Sequence, residues 1–241
     1  MIKDALQWIK NQAPVQNLTF GGRQYTDQTI VPVKDPSPEP LYLHTLTGIK
    51  DYYGSMGNGG YDDIDGEATS LHVVSHAEVR LIGALYGGFQ QRDTFLIAKL
   101  PETRGYPFGQ WQDPETFIIS LQAMFVQDEA SAALLRFVTS IKEEDGRTSQ
   151  DDGISQAVTV KKGVTLVAEE KVPNPVILRP YRTFLEVEQP AISCVLRLRS
   201  GPQLSLHEAD GGQWRLEAIQ NIKDYLVAAM AELGQKVPVI A

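Results

Sequence analysis

Apolar and polar positions alternate in three closely spaced runs, Ser70–Ser75, Glu78–Leu85 and Thr94–Leu100. A period of two marks strands that bury one face, and the short polar turns between these runs predict an antiparallel meander. Elsewhere the period is helical. Ile2, Ala5, Leu6 and Ile9 give a short amphipathic helix, and Leu46, Ile49 and Tyr53 form a stripe behind Thr45, a residue suited to an N-cap. The clearest helical signal is "QDPETFIISLQAMFVQDEASAALLRFVTSIKEE". There Asp113 caps, Pro114 takes the first helical position and Glu115 suits the positive end of the dipole. Phe117, Leu121, Met124 and Phe125 are expected to face inward, and Asp128 restarts a second helix carrying Leu134, Phe137, Val138 and Ile141. A final long helix follows from Leu216, Ile219, Ile222, Leu226, Met230 and Leu233.

Turn chemistry divides the rest. "NLTFGGRQYT" predicts a hairpin with Gly21-Gly22 at positive φ. Residues 32–40, "PVKDPSPEP", form a connection too rich in proline for a sheet interior. "ISQAVTVKKGVTLVAEE" predicts a hairpin around Lys162-Gly163, and "NPVILRP", "RTFLEVE", "SCVLRLR" and "QLSLHEA" continue the strand pattern. The polar segment "EEDGRTSQDDG" is the candidate boundary between an N-terminal half, 1–145, and a C-terminal half, 146–241, unless the two form one continuous domain. Strand groups followed by helix groups, twice over, predict an α+β fold: antiparallel sheets packed with a helix–helix unit and a long C-terminal helix.

A chain of 241 residues can bury a substantial core. Its net charge of −8 argues against general nucleic-acid binding, which draws its affinity from a basic surface, but leaves room for a local cationic pocket. One cysteine, Cys194, excludes an internal disulfide and any multi-cysteine metal site. The first residues lack the unbroken apolar core of a signal peptide, and no apolar run reaches membrane-spanning length. A cytoplasmic protein is expected.

The motifs of known chemistry are missing. "YGSMGNGGYDDIDGE", residues 53–67, packs glycines with acids, yet no lysine follows the glycines as a phosphate loop requires. In the register that fits Asp63, Asp65 and Gly66 to an EF-hand loop, Tyr61 and His72 fall on the first and last ligand positions, where neither belongs. An acidic loop, at most a lid, is the reading that remains. His72 and His76 would suit a metal on a helix, but along a strand that spacing separates them by about 13 Å. No metal or cofactor is expected. Cys194 lies in an alternating strand, as a buried structural cysteine does.

The arginines of "LRPYRTFLEVEQPAISCVLRLRS" carry the most chemistry. Arg179, Arg182, Arg197 and Arg199 stand among Tyr181 and Phe184, and guanidinium forks beside aromatic rings can hold a phosphate and stack a base. In a strand, Arg197 and Arg199 share one face. An opposing strand "FLEVE" could equally place Glu186 and Glu188 across from them as ion pairs. Both readings stand on the sequence.

"PLYLHTLTGIKDYY", "FGQWQDPETFIISLQ", "VPNPVILRPYRTFLEVEQP", "VLRLRSG" and "LHEADGGQWRLEAIQNIKDYL" together resemble the YfdQ-like family of phage and prophage proteins, over about Pro40 to Leu226. The resemblance implies a phage-encoded accessory protein in the cytoplasm of an infected bacterium, and it brings no assigned activity or residue roles. Three functions fit such a protein. The first is non-enzymatic counter-defence, in which a small nucleotide-type immune signal is bound and sequestered through Arg179, Tyr181, Arg182, Phe184, Arg197 and Arg199. The second is a structural or adaptor role toward a phage or host protein. The third is a hydrolase with an unfamiliar site built from Asp62, Asp63, His72 and His76. A symmetric homo-oligomer, most simply a dimer, is expected in each case.

Overall fold

The computed structural model describes residues 2–5, 8, 17–26, 36–55, 69–101, 105–142, 148–151, 156–162, 165–171, 174–199 and 203–241. Most of the N-terminal helix, the greater part of the glycine-acid segment with Asp62 and Asp63, Gly163 and the Ile141 side chain lie outside what is described.

The fold is α+β. Two sheets carry it. The larger has five strands in the order β13 (Val239–Ile240), β4 (Thr69–Ser75), β5 (Glu78–Tyr86), β6 (Gln91–Lys99) and β3 (Leu41–Leu43). Its centre is the predicted meander, β4, β5 and β6. Two short strands are added in parallel at the edges, β3 beside β6 and β13 beside β4. Neither parallel edge was legible locally. Both depend on chain that returns from a distance. The smaller sheet is antiparallel, β10 (Val176–Leu178), β11 (Ile192–Arg199) and β12 (Gln203–Glu208). Residues 109–112 extend it past β12, where Gln112 and Leu204 exchange backbone hydrogen bonds of 2.9 and 2.8 Å.

Two further pieces complete the strands. The hairpin β1 (Asn17–Phe20) and β2 (Arg23–Thr26) turns at Gly21 and Gly22, with φ of 59° and 77°. That is the left-handed pair a tight two-residue hairpin turn requires. The meander β7 (Thr148–Asp151), β8 (Gln156–Lys162) and β9 (Thr165–Lys171) begins inside the polar segment expected to be a boundary.

The helices follow the capping signals. α1 (Leu46–Ser55) buries Leu46, Ile49 and Tyr53, and Thr45 Oγ1 accepts from the Gly48 backbone N–H. α2 (Pro114–Met124) is capped by Asp113, which accepts from the N–H groups of Glu115 and Thr116, each at 3.0 Å. The Thr116 hydroxyl, which donates to Asp113 Oδ2 at 2.6 Å, and then these backbone bonds favour the carboxylate and hold the Asp113 pKa below its ordinary value. Phe125 ends that helix in an extended conformation, and its side chain remains fully buried. α3 (Glu129–Lys142) starts with a reciprocal pair: the Ser131 N–H donates to Asp128 Oδ1, and the Asp128 N–H donates to Ser131 Oγ.

α4 (Trp214–Glu232) needs one correction. Leu216, expected on its inner face, is 71% exposed. The buried stripe is Trp214, Ala218, Ile222, Leu226 and Met230, one residue every four, so Trp214 and Ala218 set the register at the N-terminal end.

Two apolar clusters result. One holds Phe117, Leu121, Phe125, Leu134 and Phe137 against Leu178, Cys194, Leu196 and Leu206 of the small sheet. The other holds α1 and the inner face of the meander, Leu71, Leu81 and Leu96, with Phe184. Each therefore combines residues from both sides of position 145. α4 spans the pair, giving Trp214 and Ala218 to the first cluster and Ile222, Leu226, Ala229 and Met230 to the second.

Candidate functional site

The segment 181–190 decides how the arginines are used. "RTFLEVE" is not a strand. The buried Gln189 carboxamide ties it into a compact turn, its Oε1 accepting from the N–H groups of Arg182 and Thr183 and its Nε2 donating to the carbonyls of Phe184 and Val187. The expected ladder of Glu186 and Glu188 against Arg197 and Arg199 is therefore not formed. Arg197 faces Ser205 and Arg199 faces Gln203 across β11 and β12. Glu186 instead caps α1, accepting from the N–H groups of Leu46 at 2.8 Å and Thr47 at 3.2 Å. Glu188 pairs with Arg179 at 3.0 Å. Phe184 is fully buried among the α1 and meander side chains, so it offers no stacking face. Tyr181 is partly exposed.

The six candidate residues thus separate. Arg182 lies at the junction of the two clusters. Its guanidinium sits over the Phe108 ring at 4.5 Å and over the Trp214 ring at 4.6 Å. Nη1 makes an ionic contact with Glu208 that is not aligned as a hydrogen bond. Arg215 also lies over Trp214, at 4.8 Å, and the His76 ring meets the same indole edge-on at 4.8 Å. Burial, then the charges of Arg215 and Arg182, push the His76 pKa below its ordinary value. Thr183 Oγ1 donates to the His76 carbonyl at 2.6 Å, joining this stack to the meander. Cys194, buried and paired in register with Glu208, has its thiol pushed up to about 12, chiefly by burial. A thiol held protonated at neutral pH is a structural cysteine, not a nucleophile.

Arg199 stands at the other end of β12. Gln203 and Glu208 are five steps apart, about 17 Å along an extended strand. The guanidinium of Arg199 lies over the Trp111 ring at 4.6 Å, and that ring is 38% exposed. Its Nε donates to Gln203 Oε1 at 2.7 Å, and Nη2 shares the same acceptor. Among the described residues Arg199 forms no ion pair. Arg197, the buried Ser205 and His207 share the outer face of the small sheet, and the Ser205 hydroxyl and the His207 ring nitrogen Nε2 are 3.3 Å apart.

Sequence reading found Arg182 and Arg199 but missed their partners. Phe108 and Trp111 are far from both in the chain, Trp214 is remote from Arg182, and the bonds of Gly109 to Leu206 and of Gln112 to Leu204 bring Trp111 to the sheet. His72 belongs to β4 while His76 sits in the turn after it against Trp214, so the two serve different surroundings. Among the described residues no group of three or more histidine, cysteine or acidic side chains could hold a metal ion, and no helix is long and apolar enough to cross a membrane. No model of a known protein family matches the chain, and comparison with the curated proteins and with the solved structures gives no match.

Proposed function

We propose that this chain is a phage-encoded accessory protein that captures a small nucleotide-type anion, an immune signal of the infected cell, and holds it without turning it over. The observation that carries this reading is the Arg199–Trp111 pair: a guanidinium over the ring of a partly exposed tryptophan, with a neutral amide as its polar partner. Its Nε and Nη2 edge donates to Gln203, a neutral acceptor that leaves the charge uncompensated, and the remaining N–H groups can donate to an incoming phosphate. Arg179 and Arg182 are committed to Glu188 and Glu208 and are not part of the site. The net charge of −8 works against anion binding in general, so selectivity comes from this local feature. The phage origin and the cytoplasmic setting rest on the sequence resemblance alone.

A thermal-shift screen against cyclic dinucleotides, cyclic ADP-ribose isomers and ADP-ribose conjugates tests the reading. A ligand at a hundred times its Kd stabilises the native state by about 2.7 kcal/mol. Mass spectrometry should recover it intact, and Arg199→Ala should abolish the shift. No shift from any member, or an unaltered shift in the variant, removes the proposal.

A second reading, an adaptor for a protein partner, draws support from the outer face of the large sheet. There Ile240, His72, Arg80, Ile97 and Tyr42 align across all five strands, and Tyr42 is 63% exposed. Self-association through exposed Leu216 and Val227 of α4 belongs with that reading, and light scattering at micromolar concentration tests it.

A further inference from the structure

We infer that the Arg199–Trp111 site takes a planar ring on the guanidinium and an anionic group of the same ligand at its edge, and that it is tolerant of which base the ring is. The inference rests on the reading above and specifies its ligand. The argument comes from inside the molecule. Arg182 and Arg199 are both arginines over a tryptophan ring, at 4.6 Å in each case. Around Arg182 the arrangement is complete: a second ring, Phe108, lies at 4.5 Å, and a carboxylate, Glu208, supplies the counter-charge. Around Arg199, among the described residues, there is one ring and a neutral amide. Among the described residues, two components that surround Arg182 are therefore not found around Arg199, an aromatic plane and an anion. A nucleotide carries both, one sugar apart.

The chemistry also says how such a ligand is read. Guanidinium planes stack on bases of every kind, because each base has a π-face. Discrimination between bases requires donors and acceptors aimed at their edges. The nearest candidate, Gln203, has its carbonyl oxygen committed to Arg199. Ser205 is fully buried beside His207. Stacking and charge then dominate, and each alone is insufficient.

Calorimetric titration of the full chain at low ionic strength with inorganic phosphate, adenosine, AMP, GMP and CMP separates the components. The expected outcome is that the three nucleotides bind within about fivefold of one another, and each at least tenfold more tightly than phosphate or adenosine. Arg199→Lys keeps the charge but loses the plane, so the preference for AMP over phosphate should collapse in that variant. Trp111→Leu should weaken AMP more than phosphate, and melting curves of both variants should match the parent. Phosphate binding as tightly as AMP would leave anion capture standing and overturn the ring. A preference above about fiftyfold among the bases would overturn the tolerance. Failure of every anion to bind would overturn this inference together with the reading beneath it.

Discussion

The two apolar clusters are built by opposite strategies. The cluster under the large sheet is seeded locally: three consecutive strands supply Leu71, Leu81 and Leu96, and α1 lies on them. The cluster under the small sheet is assembled from far-separated chain. α2 and α3 precede their sheet by a long excursion, and aromatic rings fill the space between, Tyr106 meeting Phe108 at 4.8 Å and Phe125 at 5.0 Å. Aliphatic side chains on a meander register themselves through the period of the strands. Rings packed edge to face need their partners placed first. The chemistry follows the second strategy. The Arg182 stack sits where the two clusters meet, and the Arg199–Trp111 pair lies on the outer face of the small sheet.

That contrast can be broken first at its centres. Leu206→Ala in the small-sheet cluster and Ile222→Ala in the large-sheet cluster should each cost about 2–5 kcal/mol. Because α4 runs through both, both variants should shift one shared urea transition, read alike by tryptophan fluorescence and far-ultraviolet circular dichroism. Transitions that fail to coincide would mean that the clusters unfold separately.

The joint comes next. Arg182→Met removes a guanidinium from two rings and leaves Glu208 without its counter-charge, at a cost of about 2 kcal/mol or more, reduced from a fully buried pair because Glu208 is partly exposed. The same urea melt should then show a broader or divided transition. A sharp transition at the parent midpoint would show the stack to be decorative. Glu186→Ala is smaller. It removes the carboxylate that caps α1 from the far side of the joint and should cost about 1 kcal/mol, as an ordinary N-cap does.

The smallest effect is in pH. The folded His76 pKa is lowered, chiefly by burial and then by Arg215 and Arg182, so the unfolded chain takes up the proton more readily. The contribution of His76 is fully present above its ordinary value of 6.5 and is lost as pH falls below it. His76→Phe keeps a ring against Trp214 and should flatten that part of the stability–pH curve. An unchanged slope would place the titration elsewhere.

Much of the fold could be read from residues in order. The meander, the Asp113–Pro114 start of α2, the Asp128 restart, the Gly21-Gly22 hairpin and the α+β class follow from period, capping and turn chemistry, which act over a few residues. What failed were inferences that needed a partner. "FLEVE" alternates like a strand, yet Gln189 bonds four of the backbone groups that a strand would have used, and Phe184 goes into the core. Leu216 looks like an inner residue until Trp214 and Ala218 take that face of α4.

By itself the sequence determined the central meander, the first hairpin and the helices, with the residues that start α1, α2 and α3, and that guanidiniums and rings would be the available chemistry. Only the tertiary structure decided which arginine meets a carboxylate and which a neutral amide. Arg182 meets Phe108, Trp214 and Glu208 because two sheets and α4 converge on it, while Arg199 meets Trp111 because residues 109–112 lie along β12. Propensity and periodicity act between neighbours in the chain. The charge state, stacking and exposure of a side chain are set by neighbours in space.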